Sequence, residues 1–494
     1  MRRITAIKFV LVFVIVCLVS LPNHAQSSQL PVLKVTFPGS FSANMDYIYG
    51  SMQLTDVDGS VLEMPAKFKT RGATAKQYSM KPSFNMKFRD AEDNELDANV
   101  LGLRTADSWI LDAMAIDRIC MRNRVCFDIW NEFSHLPYDT DFGSRSGTVG
   151  KFVEVYINDE YKGIYCLTDR INRKLLDLKK VKDNGDGTYV VRGVLYKSGT
   201  TDILDQNTPG LFNDSTICVY EWHNAWELTY PDDYAGMQAW QPFYDKFSNL
   251  HNYNFVKQNC NLENIADFQI MVMALALADN WGNKNKFAFI RNSTATDDKA
   301  NMLFTLWDMD VSLGGQYNGS CYDGNYIDWP VSAASNNAPI PFSICNTQKE
   351  YAKTLANRWA EGRAGAFSVV SVATKLRTYR DLFINSGAWQ RMVDYYNTQK
   401  YKPCHVEDLS KEIELIINWY KDRFHEMDSY FGIAAPVLGD ANADATVDVA
   451  DITAIAAYIL GDAPADFNLP NADANEDGTI DVADITTTAS IILK

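Results

Sequence analysis

Nine cysteines in 494 residues include no C-x-x-C pair, so the chain offers no zinc-type ligand spacing. No H-E-x-x-H, Ser-His-Asp or Cys-His arrangement stands out among its six histidines, which removes the usual hydrolase signatures. Basic residues are outnumbered, 46 against 62 acidic, and form no stripe; the net charge of −16 argues against nucleic acid. Past residue 21 no apolar run approaches the ~20 residues that a membrane span requires. Acids are plentiful, yet no motif marks the carboxylate pair of a glycosidase.

What is present begins at the N-terminus. Arg2, Arg3 and Lys8 precede an apolar stretch from Phe9 to Leu21, and Asn23-His24-Ala25 is a plausible cleavage site. This pattern predicts a secretory signal peptide over residues 1–25. Cys17 follows Val16 rather than a small residue, so it is not a lipobox cysteine. Cleavage would leave 43 basic against 62 acidic residues, a net −19, in an exported chain with no transmembrane segment. Export permits disulfides among the eight remaining cysteines, but the spacing selects no pairing, and several read as small buried apolar residues. With 47% apolar residues the chain can bury a large core in two or three domains.

The C-terminal 55 residues repeat one loop 33 positions apart. Its first copy carries Asp440, Asn442, Asp444, Thr446, Asp448 and Asp451; the second carries Asp473, Asn475, Asp477, Thr479, Asp481 and Asp484. Side-chain oxygens thus fall at positions 1, 3, 5, 9 and 12 of each, the spacing at which a 12-residue loop surrounds Ca²⁺ with oxygen. An apolar helix is expected after each loop, from Ile452 and from Ile485. Position 6 is Ala445 in the first loop and Gly478 in the second. A side chain in that sharp turn costs about 1 kcal/mol, so the first site is expected to bind more weakly.

Aspartate at position 12 and a helix on only one side of each loop make residues 438–494 resemble a type I dockerin. The resemblance implies a small all-α calcium-binding domain that plugs into a cohesin on another protein. Val449-Ala450 and Val482-Ala483, identical at positions 10 and 11, stand where that family commonly contacts cohesin, which implies two orientations of binding.

Residues 30–431 read as α+β, with a short linker at 432–437. Alternation predicts strands at Val32–Phe37, Ser83–Phe88, Val153–Ile157 and Gly163–Thr168, the last two joined by a turn at Asn158–Glu160. Helical periodicity covers 118–133, 265–278 and 407–427. Asp183–Gly187 is expected to be a hairpin tip. A helix apolar almost all round, Phe268–Ala278, runs into Asp279-Asn280-Trp281-Gly282-Asn283-Lys284-Asn285. Strands at Phe287–Arg291 and Met302–Leu306 follow, and the second delivers Trp307-Asp308-Met309-Asp310. Carboxylates and carboxamides at the mouth of a buried hairpin can hold Mg²⁺ and orient a hydroxyl, which phosphoryl transfer needs more than a covalent nucleophile.

This order of parts resembles the CotH (spore coat protein H) kinase family, an atypical secreted protein-kinase fold. Lys69-Thr70-Arg71-Gly72 with Met80-Lys81-Pro82 through Lys87-Phe88 is similar to one family stretch. Trp109–Asp112, Asp117 and Met121-Arg122-Asn123 are similar to a second, and the hairpin ending at Leu167-Thr168-Asp169 to a third. Trp222 and Trp226-Glu227 through Tyr230-Pro231 also have counterparts. The resemblance implies Asp279 as the catalytic aspartate and Asp308 as the Mg²⁺ ligand, with Asp310, Asn283 or Asn285 completing the metal site. Where a kinase has its asparagine five residues after the catalytic Asp, this chain has Lys284. Lys87, in preference to Lys81, is implied to reach the ATP phosphates; Asp169 is its candidate carboxylate partner, and Arg71 is a phosphate contact or a salt-bridge residue. Trp281 and Trp307 are expected to be core, and His223 surface or core.

The resulting expectation is a secreted, ATP- and Mg²⁺-dependent kinase of Ser/Thr hydroxyls, tethered by a Ca²⁺-dependent dockerin to a cohesin partner. The alternative is a catalytically weak or inactive kinase-like binding module of an extracellular, polysaccharide-degrading assembly.

Overall fold

The computed structural model describes residues 29–42, 45–72, 81–140, 143–199, 212–214, 217–219, 225–231, 237–247, 249–281, 285–316, 331, 341–400 and 405–494. The expected signal segment 1–25, Trp222, His223, Asn283 and Lys284 lie outside them. No described helix is long and apolar enough to cross a membrane.

Seven strands form a closed barrel: β1 (Val32–Thr36), β2 (Ile48–Thr55), β3 (Val61–Arg71), β4 (Ser83–Phe88), β5 (Ser108–Asp112), β6 (Gly150–Ile157) and β7 (Glu160–Thr168). Their order is β1-β2-β3-β4-β5-β7-β6, and β1 closes on β6 in parallel, with Val32 opposite Glu154. A barrel this narrow has no lumen; alternate side chains fill it. Phe68, Phe84, Met86, Phe88, Trp109, Leu111, Val153, Val155 and Leu167 do so here. The β6–β7 turn places Asn158 and Asp159 at φ 49° and 65°, the left-handed pair that matches strand twist and suits Asn and Asp. Strands β8 (Lys182–Asp183) and β9 (Tyr189–Val190) form the small hairpin expected around Asp183–Gly187.

A second, six-stranded sheet is built from β10 (Val194–Gly199), β11 (Phe212–Asp214), β12 (Ile217–Val219), β13 (Ala225–Tyr230), β14 (Lys286–Ile290) and β15 (Met302–Leu306), in the order β11-β12-β13-β10-β14-β15.

Helices α1 (Arg122–Phe133), α2 (Met237–Phe247), α3 (Tyr253–Asn259) and α4 (Leu262–Leu275) pack with these sheets into one large core. Helix α4 is buried on nearly every side. Asn264 pins it to the sheet edge: its amide donates to Phe304 O at 3.0 Å and its oxygen accepts from Phe304 N at 2.7 Å. A single side chain thereby replaces the strand that β15 lacks there. The helix does not run into Asp279 unbroken. Ala276, at φ 53°, ends it, and a four-residue helix α5 (Ala278–Trp281) starts the functional loop.

Helices α6 (Phe342–Asn346), α7 (Lys349–Ala364), α8 (Val369–Asn385), α9 (Ala388–Asn397) and α10 (Leu409–Phe431) complete the large domain. The tail contains α11 (Val449–Ile459), α12 (Leu469–Ala472) and α13 (Val482–Ile492), gathered around Ile452, Ile455, Ile480 and Ile485. Among the described residues Cys120, Cys126, Cys166, Cys260 and Cys345 are buried thiols, as the sequence suggests for several cysteines.

One buried cluster joins the barrel to the loop after β15. Asp117 accepts from Met121 N and Arg122 N, both at 2.8 Å, serving as the cap that Met121 has no side-chain oxygen to provide. Arg122 pairs with Asp117 at 2.5 Å, each side chain 1% exposed, and donates through Nε to Ser312 O at 3.0 Å. A Cβ at Gly315 would stand 2.8 Å from that Nε, so glycine is needed for the guanidinium to fit. Removing one partner strands a buried charge. Asp117→Ala is expected to cost about 3–5 kcal/mol in denaturant unfolding, and a loss under about 1 kcal/mol would contradict this role.

Candidate active site and calcium loops

Side chains that do not fill the barrel point outward. On β3 and β4 the register sets Lys67 opposite Lys87, Lys69 opposite Asn85 and Arg71 opposite Ser83, so cations accumulate on one outer face. The second sheet contributes Lys197, on β10, and Trp307, just past β15. The Arg71 guanidinium lies 5.3 Å from the Trp307 ring centre and the Lys197 ammonium 5.9 Å from it. Burial lowers the Lys197 pKa, as does the charge of Arg71, while Glu227 and Asp308 oppose the shift. Lys87 is also lowered, by burial and then by Arg170, Arg89 and Lys67. Like charges held this close favour a polyanionic ligand that neutralises several at once.

Facing these cations is an acidic loop. Asp308 sits at φ 57°, a left-handed conformation that non-glycine residues adopt mainly in turns and at strained functional positions. The residue is exposed, yet charged groups crowd its carboxylate. Loss of water raises its pKa; Arg71 and Lys197 pull it down, and Asp112 and Asp279 push it up. Asp310 is raised well above the usual range by burial and by Asp308, Asp112, Asp117 and Asp279.

Carboxamides sew the acidic loops together. Asn123 donates to Asp112 at 3.2 Å and accepts from Met309 N at 3.1 Å. Asn280, fully buried, donates to Asn285 O at 2.9 Å and to Trp307 O at 2.6 Å. Trp307 N in turn donates to Asn285 O at 3.0 Å. Asn285 then donates through its side-chain amide to Asp279 at 2.9 Å. Asp279, Asn285, Asp308 and Asp310 therefore lie together, with the Arg71 charge acting on Asp308. Every potential ligand is a hard oxygen, which suits Mg²⁺. Among the described residues no three acids lie close enough to clasp an ion as they stand.

Two expectations need correction. Lys81 does not line the cleft: it is 1% exposed, with its Nζ 3.7 Å from both Cys120 Sγ and Met392 Sδ and 5.3 Å from the Tyr165 ring centre. Asp169 does not pair with Lys87: Arg104 takes its carboxylate bidentately, at 2.6 and 2.9 Å. Trp281 packs against Phe342 as expected of a core residue. Trp307 is only half so, because its ring meets Phe127 and Phe287 as well as two cations.

Lys197, Asp112, Arg170 and Asn280 join this cluster with no role that a motif assigns. Arg170 donates to Ser108 at 2.9 Å beside Lys87. Lys197 carries one local signal, a lone cation directly after the apolar run Val194–Tyr196.

In the tail both loops close in the same way. The amide of Ala445 donates to Asp440 at 3.1 Å, and that of Gly478 to Asp473 at 2.9 Å. Their φ angles are 67° and 78°, so Ala445 does adopt the left-handed turn that glycine takes without strain. Asp448 with Asp451, and Asp481 with Asp484, form capping boxes that start α11 and α13. Burial pushes the Asp473 carboxyl up to about 7, with Asp484 and Asp477 adding to the shift. Crowded, poorly solvated carboxylates of this kind fit a divalent cation that would offset their repulsion.

The family model described as CotH kinase protein matches residues 68–427, and that described as dockerin type I domain matches residues 438–492. No curated protein matches the chain.

Because the folded-state pKa of Asp473 is raised, the calcium-free loop loses stability as pH rises from 3.8 towards about 7. Calcium needs the ionised carboxylate, so its affinity at the second loop is expected to fall about tenfold per pH unit below that midpoint. Calorimetric titration between about pH 5.5 and 8 checks this; a flat affinity would contradict it.

Proposed function

The chain belongs to the CotH kinase protein family and ends in a type I dockerin domain, and from this we propose that it is an exported kinase. Its reaction transfers the γ-phosphate of ATP to a serine or threonine hydroxyl of an extracytoplasmic protein, on an atypical kinase-like fold. Dockerins bind calcium and cohesins and are typical of extracellular or cell-surface assemblies, so the tail tethers this activity to a cohesin-bearing partner.

The observation that carries the reading is the juxtaposition, across one cleft, of Arg71 and Lys197 over Trp307 with the carboxylates of Asp308 and Asp279. In-line phosphoryl transfer requires positioning and charge neutralisation rather than a covalent intermediate. Lys197 and Arg71 would hold the phosphates, with Lys87 and Arg170 extending the cationic wall. Asp308 and Asp310, with Asn285 or Asn283, would hold Mg²⁺, which when bound neutralises and orients the phosphate oxygens. Asp279, steadied by Asn285, would accept the proton of the acceptor hydroxyl. The acceptor oxygen forms its bond to the γ-phosphorus as the bond to the β,γ-bridging oxygen breaks, and ADP leaves with that electron pair. Asp112, braced by Asn123, stands behind Asp308 and Asp310 and sets the negative field that favours a cation there.

Labelled ATP, Mg²⁺ and a Ser/Thr-rich acceptor protein test the assignment. Asp279→Ala and Asp308→Ala are expected to lower transfer by about 10²-fold or more. Lys197→Ala is expected to weaken ATP binding, whereas Lys81→Met should change neither parameter more than about twofold. Nucleotide binding without transfer would instead favour the kinase-like binding module, and absence of nucleotide binding would overturn both readings of the cleft.

A further inference from the structure

The two calcium loops are alike in sequence but differ in surroundings. The turn of the first, with Ala445, is exposed. The turn of the second is buried against α8 and α10 of the large domain. Gly478 fits there because it has no side chain: a Cβ would stand 2.9 Å from Ala373 Cβ and 3.6 Å from both Ile417 and Val369. Val370, next along α8, packs into the core of the tail itself.

Polar groups complete the contact. Arg377, on α8, donates to Gly478 O at 3.3 Å, Asp477 O at 2.9 Å and Thr479 Oγ1 at 2.6 Å. Glu414, on α10, holds the same guanidinium at 2.7 and 3.1 Å and also takes Arg380 at 2.9 Å. Lys421 Nζ lies 3.5 Å from Glu476 O, and His425 Nε2 lies 3.2 Å from the Glu476 carboxylate.

These contacts leave the calcium ligands free. A 12-residue loop binds through side chains at positions 1, 3, 5, 9 and 12 and through the carbonyl of position 7. Arg377 and Lys421 take the carbonyls of positions 4, 5 and 6 and the hydroxyl of position 7. The loop can therefore hold an ion and the large domain at once. An ion that fixes the loop also fixes the carbonyls presented to Arg377. Glu414 neutralises the guanidinium, so its charge does little to repel the ion.

We propose that the face formed by Val369, Ala373, Arg377, Ile417 and Lys421 is a receptor for the second calcium loop of this same chain. Calcium at that loop fastens the tail to the large domain, and the first loop takes no part. Docking leaves Val449 and Val482 at the surface, 42% and 36% exposed, so the fastened tail still offers both repeats to a partner. Position 6 then differs between the loops for a reason beyond affinity: only the loop that docks must be bare.

Linkage is reciprocal, so loosening the contact must weaken calcium at the second loop. Small-angle scattering and two-site calcium calorimetry on the full chain test this. Saturating calcium should give a compact particle, and chelation an extended one. Arg377→Ala should extend the calcium-loaded particle and weaken the second site by about fivefold or more, leaving the first site unchanged. Gly478→Val should extend the particle even at saturating calcium, whereas Ala445→Gly should leave it compact. The proposal is overturned if Arg377→Ala and Gly478→Val scatter like the parent, or if Ala445→Gly opens the particle as far as they do.

Discussion

The cleft depends on a buried ion pair that touches no substrate. Arg122 and Asp117 lie where a lone charge would be costly, and each is satisfied by the other and by backbone. Asp117 starts α1, and Arg122 reaches from that helix to Ser312 and fills the space above Gly315. The segment carrying Asp308 and Asp310 is thus clamped at its far end to the helix that leaves the barrel. Without such a clamp, mutual repulsion among Asp308, Asp310 and Asp112 would drive the loop outward.

Carboxamides finish what the ion pair begins. Asn123, Asn264 and Asn280 each bridge backbone or carboxylate groups from segments distant in sequence. An amide can donate and accept in one plane without adding charge, which suits a region already crowded with acids. The cationic wall is built by a different rule, strand alternation, which turns Lys67, Lys69, Arg71 and Lys87 away from the barrel interior filled by Ala66, Phe68, Met86 and Phe88. Polar staples on one side and simple periodicity on the other produce a cleft whose walls have opposite sign.

Much of this was legible in the chain. Strands β4 and β15 occupy Ser83–Phe88 and Met302–Leu306 as alternation and apolar runs indicate, and the Asn158–Asp159 turn follows from its residue types. Arg71, Asp279, Asn285, Asp308 and Asp310 do lie near one another. Pairings across long separations were not legible. Barrel closure joins Val32 to Glu154, and Asp169 finds Arg104 sixty-five residues upstream, with no local pattern announcing either. Lys81 precedes β4 and Lys87 lies within it, and only packing shows the first ammonium sealed among sulfurs while the second lies over the Tyr47 ring. Lys197 belongs to a strand whose orientation is set by the sheet around it. The calcium loops were readable almost completely, because their chemistry is local; what Gly478 packs against was not.

The most direct test of the account is where a nucleotide sits. A structure with Mg²⁺ and a non-hydrolysable ATP analogue should place the phosphates between Lys197 and Arg71, the metal on Asp308, and the γ-phosphate facing Asp279. Phosphates elsewhere, or a metal bound without Asp308, would contradict the assignment of this cleft.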